Sequence, residues 1–283
     1  MLSAIINGLI IGSTYVLVAS GLTLIFGILD VVNLAHGEVY MIGAFVAFTA
    51  VSMMGLNFWF ALPISMIVVA VLGILMEKMF FKPLRDKPHI NSMIVSIAVS
   101  VLLSNIAMLI WGSDPQLLKT EMAGQTLRFL GAAITVQRLI VIIVGAILLI
   151  ALNLFIEKTT IGKTMRATAQ DRDASALMGI NIDRVFTLTF AIGCALAAAA
   201  GTLIAPVFLV FPTMGATSFV KGFTVVILGG LGNVMGAIYA GLLLGLVESL
   251  GAVYISTAYK DAFSFIILIL FLLFRPNGIM GRG

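Results

Sequence analysis

MLSAIINGLIIGSTYVLVASGLTLIFGIL (residues 1–29) contains no charged side chain, and the first to appear is Asp30. A helix crosses the hydrocarbon core of a bilayer with about 20 residues, so this stretch is long enough to span. It lacks the basic start of a cleaved leader and reads as a retained membrane helix. The rest of the chain has the same character. Of its 283 residues, 61% are hydrophobic and 10% charged, against about 25% charged in soluble domains. Such a chain cannot cover a globule with polar surface, which makes the bilayer its solvent.

Charge-free runs fall near 2–29, 39–57, 58–76, 90–112, 139–156, 185–207, 222–247 and 262–274. All are expected to be helical, because isolated strands leave backbone groups unpaired in lipid. The predicted fold is a single all-α polytopic membrane domain over 1–283, with about eight hydrophobic segments. Gly8, Gly12, Gly236, Gly241 and Gly245 suit close helix packing in a bundle.

The loops differ in charge. Residues 77–89 carry Lys78, Lys82, Arg85 and Lys87, and residues 158–184 carry Lys158, Lys163, Arg166, Arg172 and Arg184. Residues 113–137 carry only Lys119 and Arg128. The positive-inside rule places the first two loops in the cytoplasm and the third outside. Counting back from there puts the N-terminus outside. Counting forward puts the C-terminus outside too, yet Arg275 and Arg282 favour the inside. One or two segments are therefore expected to be broken or re-entrant. The candidates are 225–245, with its Gly-Gly-Leu-Gly break, and 28–45, with polar residues between two apolar runs. They fall in corresponding parts of two halves, which suggests a loose internal repeat with interrupted helices, a common transporter plan.

Residues 162–164, Gly-Lys-Thr, end like a phosphate-binding loop. That loop begins with a glycine and follows a strand; here Glu157 holds the glycine position, after an apolar run of membrane length. Nucleotide binding at this place is rejected. His36 and His89 have no metal-ligand spacing around them, and no nucleophile elbow is present. Cys194 lies in an apolar run as a packing residue. No cofactor, metal or enzymatic activity is expected, and the net charge of +4 reports loop placement rather than nucleic-acid binding. Asp30, Glu38, Lys221 and Glu248 are placed near segment ends or breaks, which argues against a proton-coupled carrier.

In the 158–184 segment, Thr160 is expected to cap a helix near Gly162, with a bend near Asp171 to Asp173. A short charged helix pair under a membrane bundle suits docking into a soluble partner's groove. A solvated connector fits charge and length equally well, and the residues alone leave the two level.

Several ordered motifs resemble a known family. The opening NGLIIGSTYVLVASGLTLIFGILDVVNLAHGEVYMIGAF with its Asn-Leu-Ala-His-Gly core (33–37), KPLRDKP (82–88), IGKTMRATAQDRDASALMGIN (161–181), VVILGGLGNVMGAIYAGLLLG (225–245) and RPNGIMG (275–281) are similar to LivH-type permease subunits of branched-chain amino acid ABC importers. Lys82 stands where that family usually has arginine. The resemblance implies a bacterial inner-membrane subunit forming half of a translocation path, paired with a second related permease as a heterodimer. It also implies two cytoplasmic ATPase subunits and a periplasmic solute-binding protein, with membrane lipid as surroundings and no nucleic acid. It marks Gly162, Arg166, Ala167, Asp171, Ala174 and Gly179 as ATPase-coupling positions. Gly162 and Gly179 would lend backbone freedom at either end, and Arg166 would reach an acidic rim on the ATPase. Asn33, His36, Gly37 and Glu38, beside an expected helix start with free N–H groups, and Gly229, Gly230 and Gly232 are candidates to line or gate the path. The alternative is that Asn33 and His36 only satisfy backbone groups at a helix break. A urea or short-amide importer permease, or a stand-alone carrier or channel, remains open at this level.

Overall fold

The computed structural model describes residues 2–120, 122, 124–129, 132–275 and 278–280. Leu2–Leu29 forms α1 and His36–Phe48 α2, which runs on into a π-helical turn at Thr49–Met53. Phe58–Met76 is α3, prolonged by a second π turn and a 3-10 turn to Leu84, and His89–Trp111 is α4. Val136–Lys158 is α5, Thr160–Gln170 α6, Arg172–Leu177 α7 and Ile182–Ile204 α8. Met214–Gly229 is α9, Val234–Tyr254 α10 and Lys260–Phe274 α11. Two short antiparallel strands, Thr126–Phe129 and Ala132–Thr135, depart from the all-helical expectation. They lie in the outer loop, where water can satisfy an open edge.

Among the described residues, eight helices are long and apolar enough to cross a membrane, and α9 is a shorter apolar helix. The expected single segment 222–247 is thereby corrected. Gly230 and Gly232 adopt φ values of 100° and 79°, which suit glycine, and Asn233 caps α10 by accepting from the Gly236 N–H at 2.9 Å. The run is the junction of a helical hairpin. The additional crossing returns the chain to the face of the 77–89 and 158–184 loops. There a Cβ on Gly27, near the end of α1, would stand 2.9 Å from Gly232 Cα. The C-terminal segment closes onto the same turn: Ile279 N–H donates to Leu228 O at 2.8 Å and Met280 N–H to Gly229 O at 3.1 Å. Arg275 accordingly sits at the inner end of α11, as its charge demands. Pro276, Asn277, Gly281 and Arg282 lie outside the described residues. The start of α1 is at the opposite face, where Ser249 Oγ donates to Ala4 O at 2.6 Å.

The halves α1–α4 and α8–α11 are related in packing. α1 lies antiparallel along α10, through Gly8, Gly12 and Gly245. α8 lies antiparallel along α3, where Thr202 Oγ1 donates to Ser65 Oγ at 2.9 Å. α2 packs across α8 as α9 packs across α1. Between the halves, Gly21 faces Gly193 and Gly37 faces Gly215, each leaving no room for a Cβ on either side. α1 and α8 cross in opposite senses, so the loose repeat is an inverted one. α5, α6 and α7 form the insert between the halves. The buried core belongs to α1, α2, α8 and their neighbours, while α3, α4, α5 and α11 turn Ile67, Val101, Ile147 and Ile269 outward.

Candidate functional site

The 158–184 segment is built on caps. Thr159, not Thr160, caps α6: its Oγ1 accepts from Gly162 N–H at 2.9 Å. The helix begins at Thr160 itself because Thr159 keeps the extended backbone a cap residue requires. The chain bends at Asp171, whose carboxylate accepts from Ala174 N–H at 2.9 Å and starts α7. Gly179, at φ 84°, ends it, with Ile180 N–H donating back to Ser175 O at 3.1 Å, a pattern that favours glycine at this position. Gly162 differs from expectation. It is helical and buried, and a Cβ there would strike the Phe155 and Ile156 carbonyls, so its role is close approach to the end of α5. Arg166 spends one guanidinium donor internally, on Ile156 O at 2.9 Å. Ala167 is half-buried and Ala174 exposed.

Sequence reading passed over what stands out on this surface. Leu177 is 90% and Met178 84% exposed, side by side at the C-terminal end of α7. An apolar pair just before a helix-ending glycine was the available signal. The segment is also braced from the side. Arg85 bridges buried Glu77 and exposed Asp183, and Lys82 Nζ joins Asp183 at 2.7 Å. The Phe186 ring lies under the guanidinium of Arg85 at 4.5 Å and that of Arg172 at 5.5 Å. Thr187 Oγ1 donates to Glu77 at 2.8 Å. The 77–89 loop, α7 and the foot of α8 thus form one polar joint.

The second constellation surrounds the start of α2. Residue 30, with φ 55°, is the single non-glycine with positive φ among the described residues, and the chain from 30 to 35 is not helical. It returns from the C-terminal end of α1 into the bundle before α2 begins. His36 lies against Gly21: a methyl there would stand 2.9 Å from Nε2. Gly21 is roughly 12 Å of helix from Leu29, so α2 starts well inside the membrane. Asn33 and His36 are fully buried and Glu38 is 3% exposed. The Asn33 carbonyl oxygen accepts from Ala35 N–H at 3.1 Å. Asn33 Nδ2, both His36 ring nitrogens and Glu38 Oε2 have no hydrogen-bond partner among the described residues. Gly37 touches Gly215, which lets α2 and α9 begin side by side. Gly229, Gly230 and Gly232 are not brought to this place; they form the α9–α10 turn beside the end of α1.

A third group corrects the placement of two charges. Lys221 and Glu248 lie within α9 and α10, not at segment ends. They pair at 2.5 Å, joined by Asp261 at 2.9 Å from the lysine and the Tyr15 hydroxyl at 2.8 Å from the glutamate. Ser264 also donates to Glu248. A lysine and a glutamate tolerate such burial because they have each other.

A family model described as "Branched-chain amino acid transport system / permease component" matches residues 4–272. The high-affinity branched-chain amino acid transport system permease protein LivH of Salmonella typhimurium is 38% identical over 294 residues, covering 99% of this chain and 96% of that protein. BraD of Pseudomonas aeruginosa, of the same description, matches at 38% with 99% and 96% covered. LivM of Escherichia coli is 27% identical over 290 residues, covering 94% of this chain and 67% of that protein. Among solved structures, PsaBC from Streptococcus pneumoniae in complex with Fab superposes with a TM-score of 0.51 and 14% identity, over 95% of this chain and 89% of that one. That likeness bears on the fold alone.

Proposed function

The chain belongs to the family of branched-chain amino acid transport system permease components, and from that premise we propose that it forms half of the membrane path of an ATP-driven importer in a bacterial inner membrane. A second, related permease completes the path; relatives named LivH and LivM both align with this chain. Two cytoplasmic ATPase subunits supply the energy and a periplasmic binding protein supplies leucine, isoleucine or valine. The chain itself hydrolyses nothing.

The observation that carries this reading is the capped α6–α7 pair, which holds Leu177 and Met178 bare on the cytoplasmic face. Apolar side chains there do not pack into the core, and a groove on a soluble ATPase is the partner that would bury them. Gly162, Thr159 and Arg166 fix the pair to α5, and Ala167, Ala174 and Asp171 shape its outer surface. Met165 packs in one apolar cluster with Ile28 and Leu29 at the end of α1, immediately before the 30–35 break. A push on α6 would therefore reach the joint from which Asn33, His36, Gly37 and Glu38 hang. Gly229, Gly230 and Gly232 would act at the cytoplasmic mouth, as a turn that lets α9 and α10 reorient.

The test is to purify the chain with its partner permease, ATPase subunits and binding protein in lipid nanodiscs. ATP hydrolysis is then followed with leucine, isoleucine, valine, urea and acetamide in turn. Stimulation by the three amino acids is expected. Stimulation by urea or acetamide alone would replace the substrate assignment, and failure of any ATPase to co-purify would overturn the importer reading.

A further inference from the structure

Glu38 and His36 leave α2 on different sides, because residues two apart on an α-helix project about 200° from each other. His36 turns to Gly21 on α1. The Glu38 carboxyl stands beside the Ser100 and Ser104 hydroxyls of α4. Those serines are roughly 16 to 22 Å along α4 from His89, deep inside the membrane. Glu38 Oε2 has no hydrogen-bond partner among the described residues, and Glu38 is 3% exposed. A carboxylate at this depth is expensive unless something pairs with it. The cations of neighbouring helices are committed elsewhere: Lys221 to Glu248 and Asp261, and Arg138 to Asn7 at 2.8 Å.

Ser100 and Ser104 are themselves half-buried, so the carboxyl communicates with the outside of the chain through two hydroxyls. Ser96 and Ser92, buried, continue the row at four-residue spacing toward the cytoplasmic end, as neighbours on one helix flank do. Leu102, two residues from both Ser100 and Ser104 and so about 160° round the helix from each, is exposed, a lipid-compatible surface. Lipid against the serine flank would leave Glu38 Oε2 without a partner, whereas a watered path would satisfy it.

We propose that the α2–α4 flank is a wall of the translocation path and that Glu38 receives the α-ammonium group of the passing amino acid, with Ser100 and Ser104 beside it. This rests on the permease reading above. His36 and Asn33, enclosed between α1, α2 and their neighbours, are positioning residues that hold the start of α2; they do not touch the solute.

The experiment uses the complete importer in proteoliposomes, with binding protein and leucine outside. Glu38→Gln keeps the shape and removes the charge. Leucine uptake should fall at least about tenfold, the effect of losing one charge-assisted hydrogen bond, with assembly retained and Glu38→Asp recovering part of the rate. Uptake by Glu38→Gln at the parent rate overturns the ammonium site while leaving the permease reading standing. A parent complex that imports no branched-chain amino acid would instead sink that reading. A second measurement does not depend on the folding of the Glu38 variant. In a Cys194→Ala background, Ser100→Cys and Ser104→Cys should react with a cationic, membrane-impermeant methanethiosulfonate, and more slowly with leucine-loaded binding protein present. Reaction no faster than at Leu102→Cys, on the lipid side of α4, places the flank in lipid and overturns the proposal.

Discussion

Truncating Leu177 and Met178 to alanine tests the docking surface without disturbing the fold. Both side chains are almost bare, at 90% and 84% exposure, so neither supports the bundle. Substitutions of that kind shift folding stability by about 0.5 kcal/mol or less. A groove that buries them gains about 0.8 kcal/mol per methylene, and each truncation removes the equivalent of about two to three. The pair should therefore weaken ATPase association by about 3 to 4 kcal/mol, roughly a hundredfold to a thousandfold. The two are adjacent, so their effects need not add, and the lower end of that range is the safer expectation. The assay is a titration of the nanodisc-embedded permease pair with purified ATPase subunit, read by bio-layer interferometry, alongside leucine uptake in cells. A Leu177→Ala/Met178→Ala protein that folds normally and binds the ATPase within about threefold of the parent would refute the docking argument.

Two further substitutions probe the packing. Glycines differ in what they permit: a methyl at Gly37 would meet the Gly215 carbonyl carbon at 2.7 Å, whereas nothing lies within 4 Å of one at Gly179. Gly37→Ala should depress the melting temperature in detergent sharply, while Gly179→Ala should show only the left-handed backbone term of about 1 to 2 kcal/mol; equal melting would contradict the close α2–α9 contact. Lys221→Met strips Glu248 of its nearest cation inside the bundle and should cost about 3 to 5 kcal/mol. Pairing it with Glu248→Leu should restore much of that in the same melting assay, and no recovery would mean the ion pair is not what the lysine supplies.

The crossings were legible because hydropathy records the solvent each segment meets. α1, α4 and α5 could be placed to within a few residues on that basis. The α9–α10 hairpin could not. Lys221 cut the apolar run at its front, since a charge reads as an end when its partner Glu248 lies on another helix. The inner ends of the two helices carry no charge to separate them, leaving Gly230, Gly232 and Asn233 as the turn signal. The arginine at 275 exposed the miscount: its charge disagreed with the number of crossings, and the disagreement is removed by the extra helix. The repeat was visible only as a resemblance of turns. Its inverted sense lies in pairings such as Gly21 with Gly193, which no linear pattern encodes.

The 158–184 segment was legible for a different reason. Charges at membrane ends are solvated, and Asp171, Gly179 and the bend between the two short helices follow local capping rules that sequence carries. What local rules could not supply was which partner each side chain meets. Arg166 looked free to face an ATPase, yet the end of α5 returns close enough for Ile156 O to take one of its donors. Asn33, His36 and Glu38 were grouped by adjacency at a helix break. Their separation into a histidine on the α1 side, housed by the missing side chain of Gly21, and a buried carboxyl on the α4 side beside Ser100 and Ser104 depends on two other helices. The glycines at 229, 230 and 232 were candidates for the path as a helix break; they form the α9–α10 turn, where Gly278 and the two residues after it close over them. A break in a helix therefore identifies where polar groups can be tolerated in a membrane, while the faces of the neighbouring helices decide which of those groups a solute could meet.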